Sequence, residues 1–264
     1  MNPIFYSSHS IFGLKHLIIV AVCIIAIVLG VIFGRKLKLN TMLRILLIVG
    51  IVSESIKVIY YIITNEHSIV DSIHGDTTYS GYLPKTDLPF HLCSIQIIFI
   101  IILNLSKNEK LRKLILSFML PTCLIGGIAA IFIATSSSLN GLWILSLQYF
   151  GYHVGIATFA IYLLVSKEVK FDIKDYRNCL IMLVATLFIA IYINSALADY
   201  VHDINFMYVV NPPMDGLPFL TKKYGWGVYI AHYSLLCLFA ATLCYIYPII
   251  QFFKGLKKKP EVKE

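Results

Sequence analysis

The residues with the most chemical potential in this chain are gathered in Asp87-Leu88-Pro89-Phe90-His91-Leu92-Cys93-Ser94-Ile95-Gln96, at the start of an apolar run that ends near Leu105. An imidazole, a thiol, a hydroxyl and an amide within six positions cost desolvation energy that aliphatic residues would avoid, so they mark a pocket rather than a lipid-filling surface. A thiol becomes a nucleophile when a base draws off its proton. Cys93 is the one cysteine of the six with polar neighbours; Cys23, Cys123, Cys179, Cys237 and Cys244 sit among aliphatics and read as small packing residues. His153, one turn below Gln148 and Tyr149 in a later apolar run, is the histidine at a matching depth. The amides of Gln96, Gln148 and Asn194 are candidate donors to an oxyanion. His91, Tyr149, Asn205 and His232 are candidates to orient a substrate. The chemistry that follows is acyl transfer, or ester hydrolysis, through a thioester on Cys93 with His153 as base.

These side chains need a scaffold, and the composition says which kind. Hydrophobic residues make up 58% of the 264 positions and charged residues 14%, against roughly 45–50% and about 25% in soluble globular chains. The apolar runs recur throughout, which predicts a single all-α, polytopic membrane domain. Its seven transmembrane helices are expected over about 11–34, 41–64, 88–105, 114–134, 142–166, 179–198 and 226–253, each near the ~20 residues needed to cross ~30 Å of hydrocarbon.

The net charge of +8 raises nucleic acid as a partner, and the positions of the basic residues exclude it. Arg35, Lys36, Lys38 and Arg44 follow the first run, Lys107, Lys110, Arg112 and Lys113 the third, Lys167, Lys170, Lys174 and Arg177 the fifth, and Lys254, Lys257, Lys258, Lys259 and Lys263 the last. The alternate loops hold only Lys85, Lys222 and Lys223. Short basic loops stay in the cytoplasm, so the N-terminus is expected outside and the C-terminus inside. The chain begins Met-Asn-Pro-Ile-Phe-Tyr with no early positive charge, so a cleaved leader is not expected. With no CxxC and no cysteine in an outer loop, neither a disulfide framework nor a thiolate zinc site is expected, and no cofactor is called for.

Within this frame, several residues carry finer expectations. Glu54 and Lys57, three apart in the second run, share a helix face and can pair, which turns that face inward. Lys15 and His16 mark the outer end of the first run, where a lysine snorkels to the interface. Pro89 suits a first helical turn, so the third helix is expected to start there; on that helix His91 lies some 200° from Cys93. Pro121 and Gly126-Gly127 predict a kink or a close helix contact in the fourth run. The outer segment 65–87 reads as a solvated loop, since Glu66, His67, Asp71, His74, Gly75 and Asp76 follow no metal-ligand spacing. The outer segment 199–225, with Asn205-Phe206-Met207-Tyr208 and Asn211-Pro212-Pro213, reads as an ordered cap.

The pieces Leu88 to Cys93, Gln148-Tyr149 with His153, Asn205 to Tyr208 and Pro212-Pro213 run through most of the chain. On these the sequence resembles the YwaF-type family of bacterial membrane proteins, which is similar to a group of eukaryotic seven-span, cysteine-dependent phospholipid acyltransferases. The resemblance implies that Cys93 holds the acyl group, that His153 is its partner, that membrane lipids are the substrates, and that the chain sits in a bacterial plasma membrane. Two other readings use the same residues: a non-enzymatic binding or transport protein built on Glu54, Lys57, His91 and His232, and a metal or haem site on His91, His153 and His232. The last ranks lowest, because no ligand pair at i and i+4 anchors it.

Overall fold

A computed structural model describes residues 12–64, 69–71, 77–79, 88–134, 138–139, 142–199, 204–212 and 220–257. Glu66, His67, His74, Gly75, Asp76, Asp87, Pro213 and the tail lysines Lys258, Lys259 and Lys263 lie outside the described residues. The helices are α1 (Leu14–Gly34), α2 (Leu39–Thr64), α3 (Leu92–Leu105), α4 (Glu109–Phe132), α5 (Trp143–Val165), α6 (Ile173–Leu197), α7 (Trp226–Cys244) and α8 (Ile246–Lys257), with a 3-10 turn at Phe206–Tyr208. Among the described residues six of these, α1, α2 and α4 to α7, are long and apolar enough to cross a membrane; α3 is apolar but has only 14 residues. The chain is therefore a multi-pass membrane protein, with Ile, Leu, Val and Phe side chains exposed along α1, α2 and α6 as a lipid-facing belt. The chain is all-α, as expected; in the connection between α2 and α3 a short ribbon pairs β1 (Ile69–Asp71) antiparallel with β2 (Thr77–Tyr79), Val70 opposite Thr78.

The helix limits follow local chemistry that the hydropathy pattern does not report. α4 starts at Glu109 rather than near 114 because the Asn108 side chain accepts from the amides of Lys110 and Leu111. α6 starts at Ile173 rather than 179 because Asp172 and Asp175 form a reciprocal capping box. Both helices thus begin in polar sequence, below the apolar run. The expected seventh span is divided at Tyr245: Pro248 has no N–H to give to the Cys244 carbonyl, so the helix is interrupted between α7 and α8.

The basic loops meet at one end of the bundle. Arg112 donates to Asn40 Oδ1 at 2.7 Å, the Leu39 amide to Glu168 at 3.1 Å, and Tyr162 to the Leu37 carbonyl at 2.9 Å. Lys113 pairs with Asp175 at 3.2 Å. At the other end Lys15 donates to the Leu139 carbonyl at 2.6 Å and His16 Nε2 to the Ile131 carbonyl at 2.9 Å.

α4 is the axis of the bundle, with every residue from Ile115 to Cys123 buried. Gly127 is the close contact foreseen for the glycine pair: a Cβ there would lie 2.9 Å from the His153 carbonyl and 3.0 Å from Ala157 Cβ, whereas Gly126 faces open space. Pro121 leaves the Ser117 carbonyl without its helical donor. Tyr245, fully buried at the α7 break, supplies one through its hydroxyl at 2.8 Å.

That replacement yields a prediction. Tyr245→Phe keeps the ring and orphans a buried carbonyl, so it should lower stability by about 1–3 kcal/mol, measured by urea-assisted or thermal unfolding in detergent. Tyr245→Phe unfolding like the wild type would refute the pairing.

Candidate functional site

The third helix starts three residues later than Pro89 would suggest. Residues 88–90 form a tight turn, closed by the Phe90 amide on the Leu88 carbonyl at 2.7 Å, and His91 is extended (φ −74°, ψ 152°) as the N-cap of α3. His91 is therefore not helical, and the 200° separation from Cys93 does not apply. Its ring instead packs at 5.2 Å from Phe206 and 5.8 Å from Tyr208, under the cap formed by residues 204–212.

This start places Cys93 in the first turn of α3. The amides of Leu92, Cys93 and Ser94 precede the first intrahelical bond, made by the Ile95 amide to the His91 carbonyl, and no side chain caps the helix. The half-buried Cys93 thiol has Ser94 Oγ 4.0 Å away. Cys93 packs against the buried cluster that holds Cys123 of α4 and Tyr152 of α5. Tyr152 closes the group by donating to the Cys93 carbonyl at 2.7 Å.

The ion pair on α2 is present, with Lys57 Nζ 2.8 Å from Glu54 Oε2 and side chains 12% and 32% exposed. Both side chains are largely withdrawn from the surface, the inward turn that the spacing predicts.

His153 is 4% exposed. Its Nδ1 lies 2.7 Å from the Tyr149 carbonyl, so Nδ1 carries the proton and Nε2 has the free lone pair. The ring rests between Tyr149 (4.4 Å) and Tyr152 (5.6 Å), and Tyr152 is the residue that touches Cys93. Among the described residues no hydrogen bond joins His153 to Cys93 directly; each contacts Tyr152.

The three amides proposed for an oxyanion hole are engaged elsewhere. Gln148 Nε2 donates to Ser53 Oγ at 2.7 Å, joining α5 to α2. Asn194 donates to the Ala190 and Phe206 carbonyls at 2.7 and 3.0 Å and accepts from the Phe206 amide at 2.9 Å, pinning the cap to α6. Gln96, fully buried, donates to the Leu92 carbonyl and Thr122 Oγ1, both at 3.1 Å. Thr122 spends its own proton on the Phe118 carbonyl, which fixes the orientation of the Gln96 amide, and among the described residues Gln96 Oε1 has no partner. The donors that do face Cys93 are the backbone amides of its own turn.

Tyr149 donates to the Ala130 carbonyl at 3.2 Å, holding α5 to α4. His232, on α7 between Tyr229 and Tyr233, has a buried Nδ1 with no hydrogen-bond partner among the described residues. Asn205 is structural: its Oδ1 accepts from the amides of Val210 and Asn211 at 3.1 and 3.0 Å, and its Nδ2 donates to the Asn211 carbonyl at 2.9 Å.

Sequence reasoning missed Tyr152, Cys123 and the individual part of Tyr208. Tyr152 sits one residue before the chosen His153, among tyrosines that read equally well as packing. Nothing in its spacing shows that its hydroxyl reaches another helix.

Neither a curated protein nor a solved structure matches the chain. The profile of the TMEM164 family, in contrast, matches residues 11–245. That match spans α1 to the break at Tyr245 and includes every residue of the site above, so the chain belongs to the TMEM164 family.

Proposed function

We propose that this protein is a membrane-embedded lipid acyltransferase, or a lipid hydrolase working through the same thioester, with Cys93 as nucleophile and His153 as base. The observation that carries the reading is the seat of Cys93: a half-buried thiol in the first turn of α3, which no side chain caps among the described residues, next to Tyr152, whose hydroxyl reaches the Cys93 carbonyl. A helix start at membrane depth offers free N–H groups to an anion, and irregular backbone there is tolerated where it lines a cavity. The turn at 88–91 has that character. It also accounts for the shortness of α3, whose 14 residues give about 21 Å of rise; α3 with its lead-in turn is the seventh span.

In the reaction the Cys93 proton passes to His153 Nε2, by a rotamer change or one bridging water, since hydrogen bonds of this kind often tighten only with substrate bound. Sulfur attacks the acyl carbonyl carbon of a lipid ester and an S–C bond forms. The first-turn amides of α3 stabilise the oxyanion. The C–O bond then breaks, and the leaving alkoxide takes the proton back from His153. An acceptor hydroxyl, or water in the hydrolytic case, repeats the sequence in reverse and frees the thiol. Lys57, held by Glu54, presents its charge to the phosphate of the lipid.

The basic end of the bundle is cytoplasmic, so the N-terminus and the pocket face outside and the acyl chain enters from the outer leaflet. A single-cysteine reporter checks this orientation: Lys223→Cys should react with an impermeant maleimide on intact cells, while Lys110→Cys should react only after lysis. The reverse pattern would invert the topology.

Gln96 Oε1 and His232 Nδ1, buried and without a partner among the described residues, favour a second reading in which the protein binds a polar solute without chemistry. One experiment separates the two. Membranes supplied with an alkyne-bearing phospholipid should acquire a hydroxylamine-sensitive label on the wild type and none on Cys93→Ala, and His153→Gln should slow its appearance about 10²–10⁴-fold. A label that persists on Cys93→Ala would remove the acyl-transfer reading and leave the binding one.

A further inference from the structure

Among the described residues α1 and α2 each pack on α5 and scarcely touch each other. α1 meets α5 at Gly30, where an added Cβ would lie 2.9 Å from Thr158 Cγ2, and α2 meets it at Gly155, where one would lie 3.1 Å from Val49 Cγ1. Between these two seams runs a groove of about 430 Å³ with α5 as its floor, within the roughly 300–1,000 Å³ of small-molecule sites. Thr158 is its only polar residue. Cys93, Tyr152 and His153 do not line it, so it is separate from the thiol site.

The groove opens sideways into the lipid belt: Phe33 at its rim is 74% exposed and Ile45 43%. Along α1 it runs from Ala26 to Gly34 and along α2 from Met42 to Val49, about 12 and 10 Å at ~1.5 Å per residue. That is close to half of the ~30 Å hydrocarbon core, the depth of one leaflet. The length therefore fits a single lipid tail and falls short of a helix that crosses the membrane. The small face of α1 is already engaged by α5 at Gly30, so it is not free to seat the same face of a second copy.

The groove ends at the turn 35–38 that joins the two helices, where Leu37 lines it. Three hydrogen bonds fix this turn: the Leu37 amide to the Gly34 carbonyl at 2.8 Å, the Tyr162 hydroxyl to the Leu37 carbonyl at 2.9 Å, and the Leu39 amide to Glu168 at 3.1 Å. Arg35, Lys36 and Lys38 flank Leu37 and are exposed, and among the described residues their side chains make no ion pair or hydrogen bond. Against one carboxylate, that of Glu168, three cations thus stand at the end of an apolar groove, where a lipid carries its headgroup.

We infer that this groove is a binding site for an anionic phospholipid, with one acyl chain lying between α1 and α2 and the phosphate held by Arg35, Lys36 and Lys38. The site does not depend on the thioester reading. Only the leaflet, the inner one, rests on the orientation proposed above, which the Lys223→Cys and Lys110→Cys reporters test separately.

The test uses the full chain in phosphatidylcholine nanodiscs doped with either phosphatidylglycerol or phosphatidylcholine carrying a diazirine in one acyl chain. After illumination, labelled residues are read by peptide mass spectrometry. In the wild type, residues 26–34 and 42–49 should be labelled about 10–100-fold more by the phosphatidylglycerol, since each basic residue near the surface contributes a factor of about five. Phe188 and Ile189, exposed on α6, should be labelled equally by the two. Ala26→Phe, which adds a ring at an exposed lining position, should bring the groove to the same parity. Arg35→Gln, Lys36→Gln and Lys38→Gln together should also level the two lipids. Equal labelling of the groove in the wild type overturns the inference, as does a preference that survives either change. A disulfide dimer of Ala26→Cys above the wild-type level, on oxidation in liposomes, would seat a second copy in the groove and overturn it too.

Discussion

A backbone carbonyl at membrane depth has no water to turn to, and most of the side-chain hydrogen bonds in this protein answer that constraint. The Ser117 carbonyl, freed by Pro121, takes the hydroxyl of Tyr245 from the far side of the bundle. Tyr152 answers the Cys93 carbonyl, Tyr162 that of Leu37, Tyr149 that of Ala130, and His16 that of Ile131. The many tyrosines in this chain look from composition like an interfacial belt. Several are instead cross-helix donors, each joining a ring that packs in the apolar interior to a hydroxyl aimed at a neighbour's backbone.

The same constraint sets what the site can be made of. A polar side chain that ties helices together is not free to meet a substrate, and Gln148 and Asn194 are of that kind. What remains beside Cys93 is a short set: the amides of its own helix start, the Ser94 hydroxyl, and Tyr152 of α5. The short α3 and the turn before it belong to this economy. By starting at Leu92, the helix leaves three amides ahead of its first internal bond, uncapped by any side chain among the described residues, and makes room for the cap to fold over His91.

The cap shows how strain is placed. Its left-handed backbone at Met207 (φ 56°) and Tyr208 (φ 54°) is paid for by Asn194, Asn205, Trp226, Tyr229 and Tyr233, and every one of these acts on main-chain atoms. The scaffolding therefore carries no side-chain specificity of its own. The arrangement leaves the Tyr208 ring packed against His91.

What a single helix can express was legible in the residues themselves. The lipid solvent, the alternation of basic loops, the existence and approximate limits of the helices, the inward turn of Glu54 and Lys57, and the close approach at Gly127 all follow from hydropathy, spacing or side-chain size along one segment. Caps such as Asn108 and Asp172 were readable in principle, yet lay outside the apolar pattern that drew the boundaries. The tertiary structure alone decided which polar groups face Cys93, because the rotation of one helix against another is set by packing on α4 and by hydrogen bonds between distant carbonyls. Periodicity gives the angle between two residues on a helix and leaves undetermined the direction in which that helix points them. Cys93 could thus be chosen from its neighbours in sequence, while Tyr152, its neighbour in space, required the fold.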